Sequence, residues 1–396
     1  MKNKFLFLGI AAALFIACEA DDTADIVIND NSVTNNTTTT GGGSTEETEV
    51  RISGIYTEDL TLDASKSYIL TGAAIMASGT TLTIPAGTTI KAQAAGTSVY
   101  LAISQGAQII ADGNAANPIV FTSAASNPSA GDWGGLILLG RAPINSVTGT
   151  ATSTSEIGNL PYGGNKSDDD SGILRYVRVE YSGGAADGQS ENNGFSFYGV
   201  GNGTIVEYIE ALEGDDDGLE FFGGTVDVRY VLVVNAADDS IDWTEGFSGS
   251  VTDAYVIQGD GIGDEAFECD GFNTDYTNAT GTFSNPTASN VTIVSESTSD
   301  STRGFLLRAG TQGTFSNIEI IGKATGISVD DDDAGTPTSQ NITDDTLTFT
   351  DVTFTNVGAN TEIDGGVAEA DLVTGIGNGT GTDFASWGTG WTIGVN

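Results

Sequence analysis

The sequence predicts an all-β chain wound as a single right-handed parallel β-helix, and three observations predict it. Asp216-Asp217-Gly218-Leu219-Glu220-Phe221 returns as Asp238-Asp239-Ser240-Ile241-Asp242-Trp243, 22 residues later and position for position. Apolar and polar residues alternate over short runs bounded by Gly, Asn and Asp, the pattern of strands and turns, and no stretch keeps a helical spacing. A coil of this length cannot bury its own apolar face, so copies must stack. Parallel stacking at about 4.8 Å per coil makes continuous sheets around a continuous core. The right hand follows from the crossover rule for parallel strands. A propeller needs blades of about 40 residues with four antiparallel strands, which this period does not supply.

The chain then falls into coils from its N-terminal side onward. Gly79 to Ile90 gives two short strands around a Pro85-Ala86-Gly87 turn, and Leu101 to Ser123 repeats that style. The central coils align on Gly194-Phe195-Ser196-Phe197, Gly218-Leu219-Glu220-Phe221, Ser240-Ile241-Asp242-Trp243, Ala266-Phe267-Glu268-Cys269, Gly304-Phe305-Leu306-Leu307 and Gly326-Ile327-Ser328-Val329. The intervals are 24, 22, 26, 38 and 22 residues, and the longest contains Asn273 to Pro286, read as a loop. Alternation puts Phe195, Leu219, Ile241, Phe267, Phe305 and Ile327 in one inward stack and Phe197, Phe221, Trp243, Cys269, Leu307 and Val329 in a second. The residues between them point out. Second strands align with Tyr176, Tyr208, Tyr230, Tyr255, Val291, Ile318 and Val352 in one column.

Ahead of the coils, Lys2 and Lys4 precede an apolar run from Phe5 to Ala17 that is too short for a permanent membrane span, so residues 1–17 read as a secretory signal. Phe15-Ile16-Ala17-Cys18 resembles a lipoprotein box, in which Cys18 becomes the lipidated N-terminus. Residues 18–49 are rich in Thr, Asn, Gly and acid, with few large apolar side chains, and read as a flexible tether. The β-helix domain is expected over 50–396.

Charge narrows the function classes. The chain has 54 acidic and 13 basic residues, a formal net charge of −41. Such a surface repels nucleic acid and anionic lipid and favours divalent cations or neutral partners. There is no histidine, which removes the commonest general base and metal ligand, and only two cysteines. With Cys18 carrying lipid, Cys269 has no partner and reads as a small buried hydrophobe.

The candidate site is an acidic ladder. Glu220, Asp242 and Glu268 take the same outward position in three successive coils, about 5 Å apart along the stack. Each coil adds a turn cluster beside them: Asp215, Asp216 and Asp217, then Asp238 and Asp239, then Asp264 with Glu265. Like charges at that spacing repel, and calcium, which takes six to eight oxygens in flexible geometry, would offset the repulsion. Protonation or counter-charge from Arg229 would do so as well. Asp also favours such turns for its own backbone hydrogen bonding, whatever binds there. Asp330 to Asp333 reads as a separate solvated loop. An exposed row of Tyr208, Tyr230 and Tyr255 would offer a stacking surface for sugar rings, against the alternative that these rings pack at the sheet edge.

Several blocks resemble a family of secreted or surface-anchored parallel β-helix proteins of Bacteroidota: Gly131-Asp132-Trp133-Gly134-Gly135-Leu136, Leu174-Arg175-Tyr176-Val177-Arg178-Val179-Glu180-Tyr181 and Glu220-Phe221-Phe222-Gly223-Gly224-Thr225. Glu19-Ala20-Asp21-Asp22 after the lipid cysteine resembles the export signal of that phylum's surface lipoproteins. The resemblance implies the fold and the address, an outer-membrane surface lipoprotein, and brings no catalytic residues. The expected role is binding or adhesion, with glycan as the candidate ligand and calcium bracing the acidic face. A polysaccharide lyase or glycoside hydrolase using Glu220, Asp242 and Arg229, and an accessory subunit of an outer-membrane transporter, are the alternatives.

Overall fold

A computed structural model describes residues 49–184, 192–273, 281–295, 302–331 and 337–395. Cys18, the signal segment and the tether up to residue 48 lie outside the described residues, as do residues 274–280 of the expected loop and Asp332 and Asp333. Within the described residues, 24 strands join through parallel pairings into one winding sheet, a parallel β-helix. The exception is a small antiparallel pair, Ser153–Thr154 with Pro161–Tyr162, in an insertion.

Each central coil has one short strand and one long strand. The short strands Phe195–Tyr198, Leu219–Phe222, Ile241–Thr244, Phe267–Asp270, Arg303–Arg308 and Thr325–Val329 stack in register and form what we call the ladder face. The long strands Gly172–Glu180, Ile205–Leu212, Asp227–Val234, Ser250–Gln258, Thr287–Ser295, Gly313–Ile321 and Leu347–Thr355 stack beside them. Each long strand turns a corner at one left-handed residue: Tyr176, Tyr208, Tyr230, Asp253, Asn290, Asn317 or Asp351, with φ between 51° and 57° or, at Tyr230, 60°.

That bend column corrects the alignment expected from sequence. Val291, Ile318 and Val352 sit one position after the bend, and Tyr255 sits two after it, opposite Leu232 and Thr292. Asn and Asp tolerate the left-handed region through local hydrogen bonding, whereas Tyr there costs about 1 kcal/mol or more. The tyrosines offset it by stacking on one another, with ring centroids 4.3 Å apart for Tyr176–Tyr208 and again for Tyr208–Tyr230. In later coils the column becomes an amide ladder, Asn290 Nδ2 donating to Asp253 at 3.1 Å and Asn317 Nδ2 to Asn290 at 2.9 Å.

Both inward stacks form as the alternation requires, and every member is fully buried. Phe197 and Phe221 stack at 5.1 Å and Phe267 and Phe305 at 4.7 Å. Cys269 is a free, buried thiol in the second stack. The coils close through turns such as Gly223, whose φ of 64° and whose approach to the Glu245 carbonyl, 2.7 Å from where a Cβ would lie, exclude other residues.

The winding ends at Val373–Thr374, and the remaining residues do not add a coil. They run back along the bend column as a strap. Thr380 donates its N–H to Asn317 at 2.7 Å, Phe384 stacks on Tyr255 at 4.7 Å, Trp387 lies 5.7 Å from Tyr230, and Trp391 stands edge-on to Tyr176 at 5.4 Å. Replacing Phe221, wholly buried between Phe197 and Phe247, should show how tightly the coils depend on these stacks. Phe221→Ala is expected to lower unfolding free energy by about 3–5 kcal/mol in urea denaturation, and a loss under about 1 kcal/mol would mean that the stack does not carry the core.

Candidate functional site

Parallel register turns single residues into outward columns on the ladder face. One column runs Ser196, Glu220, Asp242, Glu268, Leu306, Ser328. Beside it, at the strand entrances, backbone bonds from Gly194 to Asp217, Gly218 to Asp239, Ser240 to Glu265 and Ala266 to Arg303 align Asn193, Asp217, Asp239, Glu265 and Arg303. On the other side, Tyr198, Phe222 and Thr244 stand in register, and Asp270 pairs with Arg308. The expected ladder is therefore real. Its carboxylates point away from the core and differ in exposure: Glu220, Asp242 and Glu268 are part-buried, Asp217 and Asp239 are buried, and Asp215, Asp238 and Asp264 in the turns are exposed.

The ladder is compensated unequally along its length. On the C-terminal side, Arg308 bonds Glu268 and reaches Asp270 through Nε at 2.7 Å, and Arg303 bonds Glu265. Lys323, fully buried, donates Nζ to the Asp264 carbonyl at 2.8 Å. Its burial pulls its pKa down to about 8 while Glu265, Asp239 and Asp264 hold its charge. On the N-terminal side, among the described residues, no Lys or Arg pairs with Asp217, Glu220 or Asp242. Asn193 donates Nδ2 to Glu220 at 2.6 Å, and the Asp239 N–H bonds Asp217 at 2.9 Å.

Burial pushes Asp217, Glu220, Asp239, Asp242, Glu265 and Glu268 up. Glu220 is raised well above the carboxylate range by burial, then by Asp242 and Glu156, and Asp242 by burial, then by Glu268 and Asp270. Asp217 is raised by burial and then by Asp216. Glu265 and Glu268 rise by burial to about 7 each, with the arginines pulling the other way. Perturbed carboxyls gathered on one face mark a functional candidate, although structural ion-pair networks do the same.

Neighbouring structure frames this face. The insertion at 140–171 lays Ile157 and Tyr162 over Tyr198 and Phe222, and the Tyr162 hydroxyl donates to buried Glu245 at 2.8 Å. Two sequence expectations need correction. Arg229 does not serve the ladder: it lies on the long-strand face, bonding Asp253 at 3.3 Å above the Tyr230 ring. Tyr208, Tyr230 and Tyr255 do not form an open stacking row, because Trp391, Trp387 and Phe384 of the strap pack on them. Sequence reasoning missed Asn193, Asp270, Arg303, Arg308 and Lys323. Extending the alignment by one residue, from Cys269 to Asp270 and from Leu307 to Arg308, would have found one of those pairs.

The pattern of the pectate-lyase-like β-helix domain family matches residues 54–392. The chain belongs to that family. No curated protein matches it. Among solved structures, this pectate-lyase-like β-helix is similar to the catalytic domain of a GH87 α-1,3-glucanase in complex with nigerose, at 13% identity and TM-score 0.33, over 80% of this chain and 65% of that one. A variant of the glucanase with nigerose gives 11% identity and TM-score 0.35, over 84% and 62%. The chain thus spans less than two thirds of the length of those structures. No residue role follows from likenesses this distant.

The raised carboxyls set a pH dependence of stability. A carboxyl whose folded pKa lies above its unfolded value binds more protons when folded, so stability is present at low pH and is lost as pH rises through the folded value. For Glu265 and Glu268, at about 7, the window runs from the ordinary glutamate range up to about 7. In EDTA, the urea midpoint should fall between about pH 5 and pH 8. A midpoint that rises over that range would show the acids to be ionised and satisfied in the folded state.

Proposed function

We propose that this β-helix is an outer-membrane surface lipoprotein, anchored through Cys18, that binds an uncharged, hydroxyl-rich glycan along the ladder face without cleaving it. The observation that carries the reading is the placement of part-exposed acceptors in register on one face while the bend column is roofed by the strap. Carboxylates repeated about every 4.8 Å accept hydrogen bonds from a run of hydroxyls, and the net charge of −41 disfavours an anionic polymer. The family's name, pectate-lyase-like, supports polysaccharide as the ligand class. Repetition of the acids from coil to coil supports binding over a single reacting centre.

A second reading, polysaccharide cleavage, has one observation behind it. Burial raises the carboxyls of Glu220 and Asp242 well above their ordinary values, which is the direction a general acid needs. Exposure of the purified chain to a glycan array and to soluble polysaccharides separates the two. Retention of uncharged glycans with no new reducing ends is expected; new reducing ends or unsaturated uronates would establish cleavage instead, and retention of nothing would overturn both. Protease treatment of intact cells should remove the β-helix, and full protection would contradict the surface address.

A further inference from the structure

We propose that the N-terminal half of the ladder holds one calcium ion, bound by Asp217, Glu220, Asp242 and the amide oxygen of Asn193, and that the C-terminal half holds none. This goes beyond the glycan reading and does not rest on it.

Three arguments converge on that place. Oxygens of Asp217, Glu220 and Asp242 lie within 4.8 Å of one another. Ligands sharing one calcium at about 2.3–2.6 Å can be no more than about 5 Å apart, so the trio already has the span of a single coordination sphere. Next, the cluster holds buried acceptors that meet no donor. Asn193 is 1% exposed; its Nδ2 bonds Glu220 at 2.6 Å and Ser196 at 3.2 Å, which sets its amide head against the trio, while its Oδ1 has no partner. The Oδ1 of Asp242 is likewise buried without a partner. Buried polar atoms are nearly always satisfied, and a bound cation would satisfy unpartnered oxygens beside a carboxylate cluster. Finally, the Asp239 N–H fixes the Asp217 carboxylate at 2.9 Å, so the group is oriented before any ion arrives.

The other half of the ladder supplies the contrast. Asp239, Glu265 and Glu268 also bring oxygens within 4.8 Å. Arg303 bonds Glu265, Arg308 bonds Glu268, and Lys323 lies buried beside them, so three side-chain cations stand where an ion would. The cluster of Asp216, Asp217 and Asp238, of which the first two are buried, shares Asp217 with the proposed site and reaches solvent at Asp238. All donors at the site are oxygen, Cys269 points into the core, and the chain has no histidine. That set selects a hard cation, and a cluster of three carboxylates with an amide oxygen suits calcium, which takes more protein oxygens than magnesium.

Isothermal titration of the purified chain, freed of metal by EDTA and dialysis, with calcium chloride and no glycan tests this directly. One site per chain is expected, with Kd between about 1 µM and 1 mM. Glu220→Gln and Asp242→Asn should each weaken it at least about tenfold, and Asn193→Ala, which removes no charge, about three- to tenfold. Glu265→Gln should leave Kd within about twofold. Circular dichroism of each variant guards against loss of fold; if Glu220→Gln does not fold, Asn193→Ala with Glu265→Gln still decides. No binding up to about 10 mM, two or more sites per chain, or equal losses in Glu265→Gln and Asn193→Ala would overturn the proposal. The titration contains no glycan, so its failure leaves the glycan reading untouched, and an array without retained glycan leaves the ion untouched.

Discussion

In-register parallel stacking is the constraint on which the rest of this molecule depends. Each coil presents the same position every 4.8 Å or so, and whatever residue type occupies it is repeated into a column. Inward, this is favourable without qualification: Phe195, Leu219, Ile241, Phe267, Phe305 and Ile327 build one apolar spine and Phe197 to Val329 another. At the corners it selects for residues that tolerate left-handed backbone and interact with their own kind, stacked tyrosines first and then Asn and Asp. Outward, on the ladder face, it sets carboxylates against carboxylates.

That last consequence is met in two ways along one face. Toward the C-terminal side the next coil brings Arg303 and Arg308 into register with Glu265 and Asp270, and Lys323 lies buried near the same acids. Compensation there comes with the fold. Toward the N-terminal side the next coil brings Asn193 and Ser196, which are neutral, and the charge of Asp217 and Glu220 is left to protons or an ion, while Asp242 between the two halves also feels Arg308. The two ends of one column thus carry different chemistry because their flanking coils differ by a few residues.

The sequence revealed local structure more readily than long-range contacts. Strand alternation and the 22-residue restatement at Asp238 to Trp243 were enough for the winding, both inward stacks and the outward place of Glu220, Asp242 and Glu268. Alignment by aromatic identity placed Tyr255 in the bend column, where the backbone asks for tolerance of positive φ and puts Asp253. The strap left no periodic signal, since its hydrogen bonds join residues as far apart as Trp391 and Arg178, 213 positions away. Without it, Tyr208, Tyr230 and Tyr255 read from sequence either as a stacking row or as rings packed at the sheet edge, and the strap decides for packing. Partial burial of the ladder was hidden for the same reason: the insertion that flanks it belongs to no repeat.

Register decides where charge is compensated by side chains and where it is not. An anomalous difference map from crystals grown with calcium examines that claim at the atoms themselves. A single peak among Asp217, Glu220, Asp242 and Asn193, with Arg303 and Arg308 still on Glu265 and Glu268, is the predicted result. No peak at that position, or one among Asp239, Glu265 and Glu268, would contradict it.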